Sequence, residues 1–177
     1  ASDAAGKKRA FHRFIDKALV RRMLVDDDKA VGGLRDNIGF VELRARDSVR
    51  SVVLTGSGRA FCSGGDVKDI IGRLFDVPAA ELNAFTRMTC DLIENMRRLE
   101  KPIVAALNGT TCGAGAVMAA AADVRVAADT AKIAFLFTKV GLSGADMGAA
   151  WLLPRIVGLG HASELLMLGE FISAARA

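Results

Sequence analysis

Apolar positions along this chain fall into two periods. Between residues 81 and 99, Leu82, Phe85, Met88, Leu92, Met96 and Leu99 recur at spacings of three and four, which predicts a single stripe on an amphipathic helix. Short β-rich runs bracket it. Ser51-Val52-Val53-Leu54-Thr55, ended by Gly56-Ser57-Gly58, reads as a buried strand and a turn; Pro102-Ile103-Val104-Ala105-Ala106-Leu107, ended by Asn108-Gly109, reads the same way. Further strands are expected at 123–126 and 133–135. Helices are expected at 67–75 (with Pro78 interrupting), after Gly113-Ala114-Gly115, at 147–156, and from His161 to Leu168, and a loop at 141–148. Strands alternating with helices predict an α/β fold with crossover connections.

The pattern is weaker ahead of residue 48. Phe11, Ile15 (or Phe14), Ala18, Leu19 and Arg22 form a partial helical stripe, Asp26, Asp27 and Asp28 break it, and Gly32-Gly33 marks a turn. Residues 37–44, with Ile38, Phe40, Val41 and Leu43, read as a strand of imperfect alternation. This divides the chain into a basic N-terminal segment, 1–47, and a patterned core, 48–177. No internal repeat or low-complexity tract interrupts it.

With 177 residues, 51% of them hydrophobic and 25% charged, the chain suits one folded domain with a real core and not a disordered segment. It has no Tyr and one Trp, so it lacks the aromatic platform of a single-stranded nucleic-acid binder. The net charge of +4 is concentrated in Lys7, Lys8, Arg9, Arg13, Lys17, Arg21 and Arg22. Such a run can meet nucleic acid, an acidic lipid surface or a polyphosphate, but a solvated face is the commoner meaning. Cys62, Cys90 and Cys112 are odd in number and widely spaced, which gives neither a disulfide framework nor zinc-ligand spacing and points to a reducing cytoplasm. Charges interrupt every apolar run at the N-terminus, so no secretory h-region is expected, and the Ala-rich run 114–122 is too short to span a bilayer.

The candidate chemistry lies in two glycine-rich turns, each expected between a strand and a helix: Ser63-Gly64-Gly65-Asp66, and Asn108-Gly109 with Gly113-Ala114-Gly115. A turn feeding a helix leaves its first N–H groups without internal partners, and glycine removes the side chain that would keep a ligand away. Two such turns aimed at one point would stabilise an oxyanion, and one such donor is worth roughly 3 kcal/mol in a transition state. Either turn taken singly is more often a glycine cap or tight turn with no ligand. Neither has the Gly-x-Gly-x-x-Gly spacing of a dinucleotide site or the Lys-Ser/Thr ending of a phosphate loop. His12 and His161 have no Ser or Cys partner motif, and His161 reads as a surface position; both are taken as structural. Cys62 and Cys112 flank the turns as small hydrophobes, Asp66 as a helix cap, and Trp151, Leu152 and Leu153 as core or pocket wall.

Three stretches in order carry a family resemblance. The run from Ser51 through Thr55, Gly56-Ser57-Gly58-Arg59-Ala60-Phe61-Cys62-Ser63-Gly64-Gly65-Asp66-Val67 closely resembles the first signature of the crotonase (enoyl-CoA hydratase/isomerase) superfamily. Lys101-Pro102-Ile103-Val104-Ala105-Ala106-Leu107-Asn108-Gly109 with Gly113-Ala114-Gly115 resembles the second. Val140-Gly141-Leu142-Ser143-Gly144-Ala145-Asp146-Met147-Gly148 and Leu153-Pro154-Arg155-Ile156-Val157-Gly158 resemble the third.

The resemblance implies a spiral of β-β-α turns, atypical at its N-terminus and truncated at its C-terminus. It implies oxyanion donors at the N–H groups of Gly65 and Ala114, and a coenzyme A site lined in part by Ala60, Phe61, Ser63, Gly64, Gly65, Asp66 and Val67. Coenzyme A would enter as part of an acyl-CoA substrate, with no covalently bound cofactor and no metal, in a homotrimer or a hexamer of paired trimers. The positions where hydratases of this family carry two glutamates hold Val117 and Phe137. Neither can move a proton, so two-carboxylate hydration is unsupported. Asp146 remains: the third motif is similar to that of dienoyl-CoA isomerases, where an aspartate here acts as a base. On residue chemistry alone, Asp146 serves equally well as an N-cap before Met147-Gly148-Ala149-Ala150. The expected function is processing of an acyl-CoA thioester through an enolate. The alternatives are acyl-CoA binding without turnover, and nucleic-acid binding through residues 7–22.

Overall fold

The computed structural model describes residues 22–24, 40, 43–65, 72 and 76–177. The expected helix at 67–75 and most of the basic segment lie outside the described residues. Among the described residues eight strands form two four-stranded sheets. One has the order β1 (Arg22–Leu24), β2 (Val52–Thr55), β4 (Ile103–Leu107), β6 (Val124–Ala127); the other has β3 (Ala60–Cys62), β5 (Thr110–Cys112), β7 (Lys132–Ala134), β8 (Ile172–Ser173).

The topology is a stacked spiral. Each turn lays one strand in each sheet and then adds a helix: β2 and β3 precede α1 (Ala79–Arg97), β4 and β5 precede α2 (Ala114–Ala121), and β6 and β7 precede α3 (Ala149–Leu168). Strands of successive turns therefore pair in parallel, β2 with β4 with β6 and β3 with β5 with β7. Among the described strands only β1 and β8 pair antiparallel, β1 with β2 and β8 with β7.

Alternation sets the inner face of the first sheet. Val52 and Leu54 are buried on β2, and Ile103, Ala105 and Leu107 on β4, while the residues between them are half-buried. Helix α1 closes this face with the later part of its stripe, Leu92, Ile93 and Met96. Helix α2 has no polar face; all eight of its residues are buried. Its small side chains bring its backbone against the start of the second sheet, where a Cβ on Gly115 would overlap the Cys62 side chain.

The turns are fixed by polar side chains. The Gly56 N–H donates to Asn108 Oδ1 at 2.9 Å, and Asn108 Nδ2 donates to the carbonyls of Gly58 and Ala60 at 3.0 and 3.2 Å. Asp123, which ends the run after α2, accepts the Ile103 N–H at 2.8 Å and a bond from Arg97 at 3.1 Å.

Four expectations need correction. Phe40, Leu43 and Arg44 are helical, not part of a strand; Phe40 and Leu43, three apart, both point into the core, the spacing of one helix face. Arg22 belongs to β1 and not to a helical stripe, because its segment finds the free edge of β2. Trp151 is exposed, with the Arg155 guanidinium 4.2 Å from its ring centre, while its neighbours Leu152 and Leu153 are buried as expected; a helix cannot bury three consecutive positions on one side. Asp146 does not cap the last helix: Gly148 holds the N-cap position and no side chain bonds there. The two helices expected at 147–156 and 161–168 are both present within α3, parted at Gly158, where φ is 78° and ψ 161°. No helix among the described residues is long and apolar enough to cross a membrane.

A cavity at the carboxyl ends of three strands

Strands β3, β5 and β7 are parallel neighbours, so the segments leaving their carboxyl ends emerge side by side. These segments are Ser63-Gly64-Gly65, Gly113-Ala114, and the 3₁₀ turn Leu136–Val140 with the loop beyond it. Loops at the carboxyl ends of parallel strands are the usual ligand-binding edge of an α/β sheet. Together with one face of α1 they enclose a cavity of about 480 Å³, within the range of small-molecule sites.

The two glycine turns touch. A Cβ on Gly64 would stand 3.6 Å from the Gly113 Cα, and a Cβ on Gly113 would stand 3.7 Å from the Gly64 Cα. Both backbones are in conformations that favour glycine, with φ of 84° and 52°. The next residue of each turn, Gly65 and Ala114, lines the cavity.

Helix α2 begins at Ala114, so its first N–H groups lack intrahelical partners. The Ala116 and Val117 N–H groups turn back to the Gly113 carbonyl at 3.0 and 3.1 Å. Backbone hydrogen bonds from Gly64 and Gly115 reach the Cys62 thiol. Ala114 is the first residue of the helix and lines the cavity.

Asp146 lines the same cavity. Burial pushes its carboxyl above the ordinary carboxylate value, and the Met147 N–H, donated to Oδ1 at 2.9 Å, pulls partly the other way. The bond is short-range because Met147 is left-handed, with φ of 52°, although it is not glycine and is buried. Such strain at a non-glycine residue persists where surrounding structure over-determines it, and it concentrates at functional loops.

Of the residues expected from the sequence, Ser63, Gly64, Gly65, Ala114 and Asp146 come together around this cavity. Ala60 and Phe61 do not line it. They sit on β3, with Phe61 fully buried in the core. Asp66 and Val67 lie outside the described residues. Phe137 forms part of the wall, whereas Val117 is buried on α2 away from it. Burial raises the Cys62 thiol and pushes Cys112 up to about 11, the Cys62 neighbour adding to the second shift; thiols held protonated in this way are poor nucleophiles. His161 is exposed on α3 beside Glu164. No cluster of three or more metal-ligating side chains occurs among the described residues.

The sequence reading missed the α1 wall of Leu82, Phe85, Thr86 and Thr89, and also Leu136, Val140 and Leu142. Its available signal was Thr86 and Thr89 set among the apolar positions of the helical stripe.

The model of the family described as enoyl-CoA hydratase/isomerase matches residues 36–177. The chain belongs to this enoyl-CoA hydratase/isomerase family. The match reaches back beyond Ser48, where the recognisable motifs begin, and takes in the helical residues Phe40 and Leu43. A 1,2-epoxyphenylacetyl-CoA isomerase of Escherichia coli (strain K12) is 40% identical over 134 residues, which cover 74% of this chain and 50% of that one. The crystal structure of a protein assigned as an enoyl-CoA hydratase from Streptomyces coelicolor A3(2) superposes with a TM-score of 0.77 at 54% identity, covering 80% of this chain and 51% of that one. An enoyl-CoA hydratase from Polaromonas sp. JS666 gives a TM-score of 0.71 at 37% identity, covering 79% and 54%. The spiral is therefore the crotonase fold, and this family member spans about half the length of the relatives it matches.

Proposed function

We propose that this chain holds an acyl-coenzyme A thioester with its carbonyl oxygen between the N–H groups of Gly65 and Ala114, and that Asp146 moves a proton on the acyl chain. The observation that supports this most is the lining of one cavity by Gly65, Ala114 and Asp146, with Gly64 packed on Gly113 behind the two donors. Ser63, Gly64 and Gly65, at the cavity itself, would form part of the coenzyme A site, whereas Phe61, closed off in the core, would not. No bound cofactor or metal enters the scheme.

The two amides would polarise the thioester carbonyl and make a neighbouring C–H acidic. The Asp146 carboxylate would remove that proton while the electron pair moves onto the oxygen as an enolate. Return of the proton to a different carbon restores the carbonyl and shifts a double bond. The cycle needs one titratable group and no water. A carboxyl whose pKa is raised by burial is better matched to such transfer near neutrality than an exposed one. Val117 and Phe137 cannot supply a second acid or base, which favours isomerisation over hydration.

The decisive experiment replaces a donor without replacing a side chain of any consequence. Ala114 is the first residue of α2, a position where proline is tolerated and its missing N–H costs the helix nothing. Ala114→Pro is expected to lower kcat by about 10²–10³-fold with the fold retained, and Asp146→Asn to abolish turnover of a 3,5-dienoyl-CoA. Unchanged kcat in a folded Ala114→Pro variant would falsify the donor assignment. Acyl-CoA binding with no turnover of any thioester would favour the alternative of a binding or scaffold protein.

Family membership also suggests a homotrimer or paired trimers, and the exposed Leu159, Met167 and Leu168 on α3 support burial of that face in an assembly. Free cysteines at 62, 90 and 112 fit a reducing cytoplasm. Nucleic-acid binding through residues 7–22 is the weakest reading, since no described feature adds to that charge run.

A further inference from the structure

We infer that Gly144 is a positioning residue: its bare Cα lets the loop beyond the 3₁₀ turn close onto the last turn of α3, and that contact fixes where Asp146 stands in the cavity. This rests on the role given to Asp146 above. A Cβ on Gly144 would stand 2.4 Å from the Leu166 carbonyl oxygen and 3.1 Å from its carbonyl carbon. The backbone of Gly144 lies outside the left-handed region, so alanine can adopt its conformation and space alone demands glycine. The obstacle is helix backbone, which cannot swing aside as the end of a side chain can. An added methyl must therefore push the loop off the helix.

A closed turn carries that push to Asp146. The Asp146 N–H donates to the Ser143 carbonyl at 3.1 Å, and the Ala145 N–H donates to Ser143 Oγ at 3.1 Å, so residues 143–146 move as one unit. The loop enters from the 3₁₀ turn, where the Leu142 N–H donates to the Phe137 carbonyl at 2.9 Å. That turn is docked on the end of α3 as well. A Cβ on Gly169 would stand 3.0 Å from Thr138 Oγ1 and 3.3 Å from the Phe135 carbonyl oxygen, and Lys139 pairs with Glu170 at 2.6 Å. The end of α3 is thus the seat of the segment from Phe135 to Asp146. The glycine turns that would hold the thioester leave β3 and β5, so displacing the loop moves the base and leaves those two turns in place.

The test separates turnover from binding. For each variant, kcat on a 3,5-dienoyl-CoA is measured beside the calorimetric affinity for hexanoyl-CoA, which has no double bond to shift. Gly144→Ala is expected to lower kcat by at least about tenfold, since a misplacement of about 1 Å is enough for that, while the affinity stays within about threefold. Gly160→Ala is the control: it lies on α3, where an added Cβ meets nothing within 4 Å, and it is expected to match the unmodified chain in both measurements. If Asp146→Asn keeps full turnover, the base assignment itself fails. If Asp146→Asn loses turnover but Gly144→Ala keeps its kcat, or loses kcat and affinity in proportion, the base assignment stands and the positioning role is overturned. Should Gly144→Ala fail to fold, Ser143→Ala loosens the same turn at an exposed side chain. A kcat at least about threefold lower with the affinity kept then supports the role, and an unchanged kcat overturns it.

Discussion

Asn108 and Gly56, from turns 52 residues apart in sequence, are joined by a 2.9 Å hydrogen bond from the Gly56 N–H to Asn108 Oδ1. The Asn108 amide also donates to the Gly58 and Ala60 carbonyls, so one side chain ties the ends of β2 and β4 to the start of β3. An aspartate is nearly isosteric but keeps only the acceptor. Asn108→Asp turns a carboxylate towards two carbonyl oxygens and is expected to cost about 2 kcal/mol at neutral pH. The carboxylate is disfavoured in the folded state, so its folded pKa is raised. The loss therefore shrinks as pH falls and the protonated acid donates one bond again. Urea unfolding at pH 7 and pH 4 measures both; equal losses at the two values would contradict this role.

Gly113 carries φ of 52° and ψ of −121°, a region essentially closed to other residues. Its N–H donates to the Ala134 carbonyl at 2.9 Å, so it cannot relax without releasing β7. Gly113→Ala is expected to destabilise the chain by about 1–3 kcal/mol and to weaken acyl-CoA binding, because Ala114 would move with it. Denaturant unfolding and calorimetric titration of the same variant test the two parts. A stable variant with ordinary affinity would remove the need for glycine here.

Longer elements were legible from the sequence because their periodicity had room to repeat: the strands at 52–55 and 103–107 and the helix at 79–97 match their expected spans closely. Strands β3 and β5 were not, since three residues each cannot display alternation, and a glycine turn follows both. Pairing with neighbours in the spiral makes them strands. Phe40 and Leu43 were ambiguous for the same reason, a short apolar run that fits either period. At the site, the two glycine turns and Asp146 could be named from motifs. The α1 wall could not, because a stripe at helical spacing looks the same whether it covers core or a cavity, and Leu82 and Phe85 do the second while Leu92 and Met96 do the first.

The contact between Gly115 and Cys62 makes a paired prediction. A Cβ at 115 would overlap the Cys62 Cβ and stand 2.8 Å from its sulfur. Gly115→Ala alone should therefore cost about 1–3 kcal/mol through overpacking. Removing the opposing Cβ with Cys62→Gly relieves the clash, so the double variant should be more stable than the sum of the two single losses allows, by at least about 0.5 kcal/mol. A four-member cycle by urea unfolding gives the coupling. Strict additivity would show that the helix shifts away from β3 instead of pressing on it.

Asp146 links stability to the proposed chemistry through pH. Burial raises its folded pKa, the Met147 N–H opposing in part. For a carboxyl raised in this way the protonated form is the one the fold favours. Its contribution is fully present below the unfolded value and is lost as pH rises through the folded pKa. At neutral pH the ionised group is therefore a net cost. Asparagine removes that charge and keeps an oxygen able to accept the Met147 N–H. Asp146→Asn is expected to melt at a higher temperature than the unmodified chain at pH 7, with the advantage vanishing below about pH 4, the ordinary carboxylate value, while turnover is lost at every pH. This gain of stability with loss of activity is the pattern of a group held against its own solvation preference for a chemical purpose. A variant less stable than the unmodified chain at pH 7 would instead make Asp146 a structural anchor of its loop, and calorimetric melting across pH 3–8 decides between them.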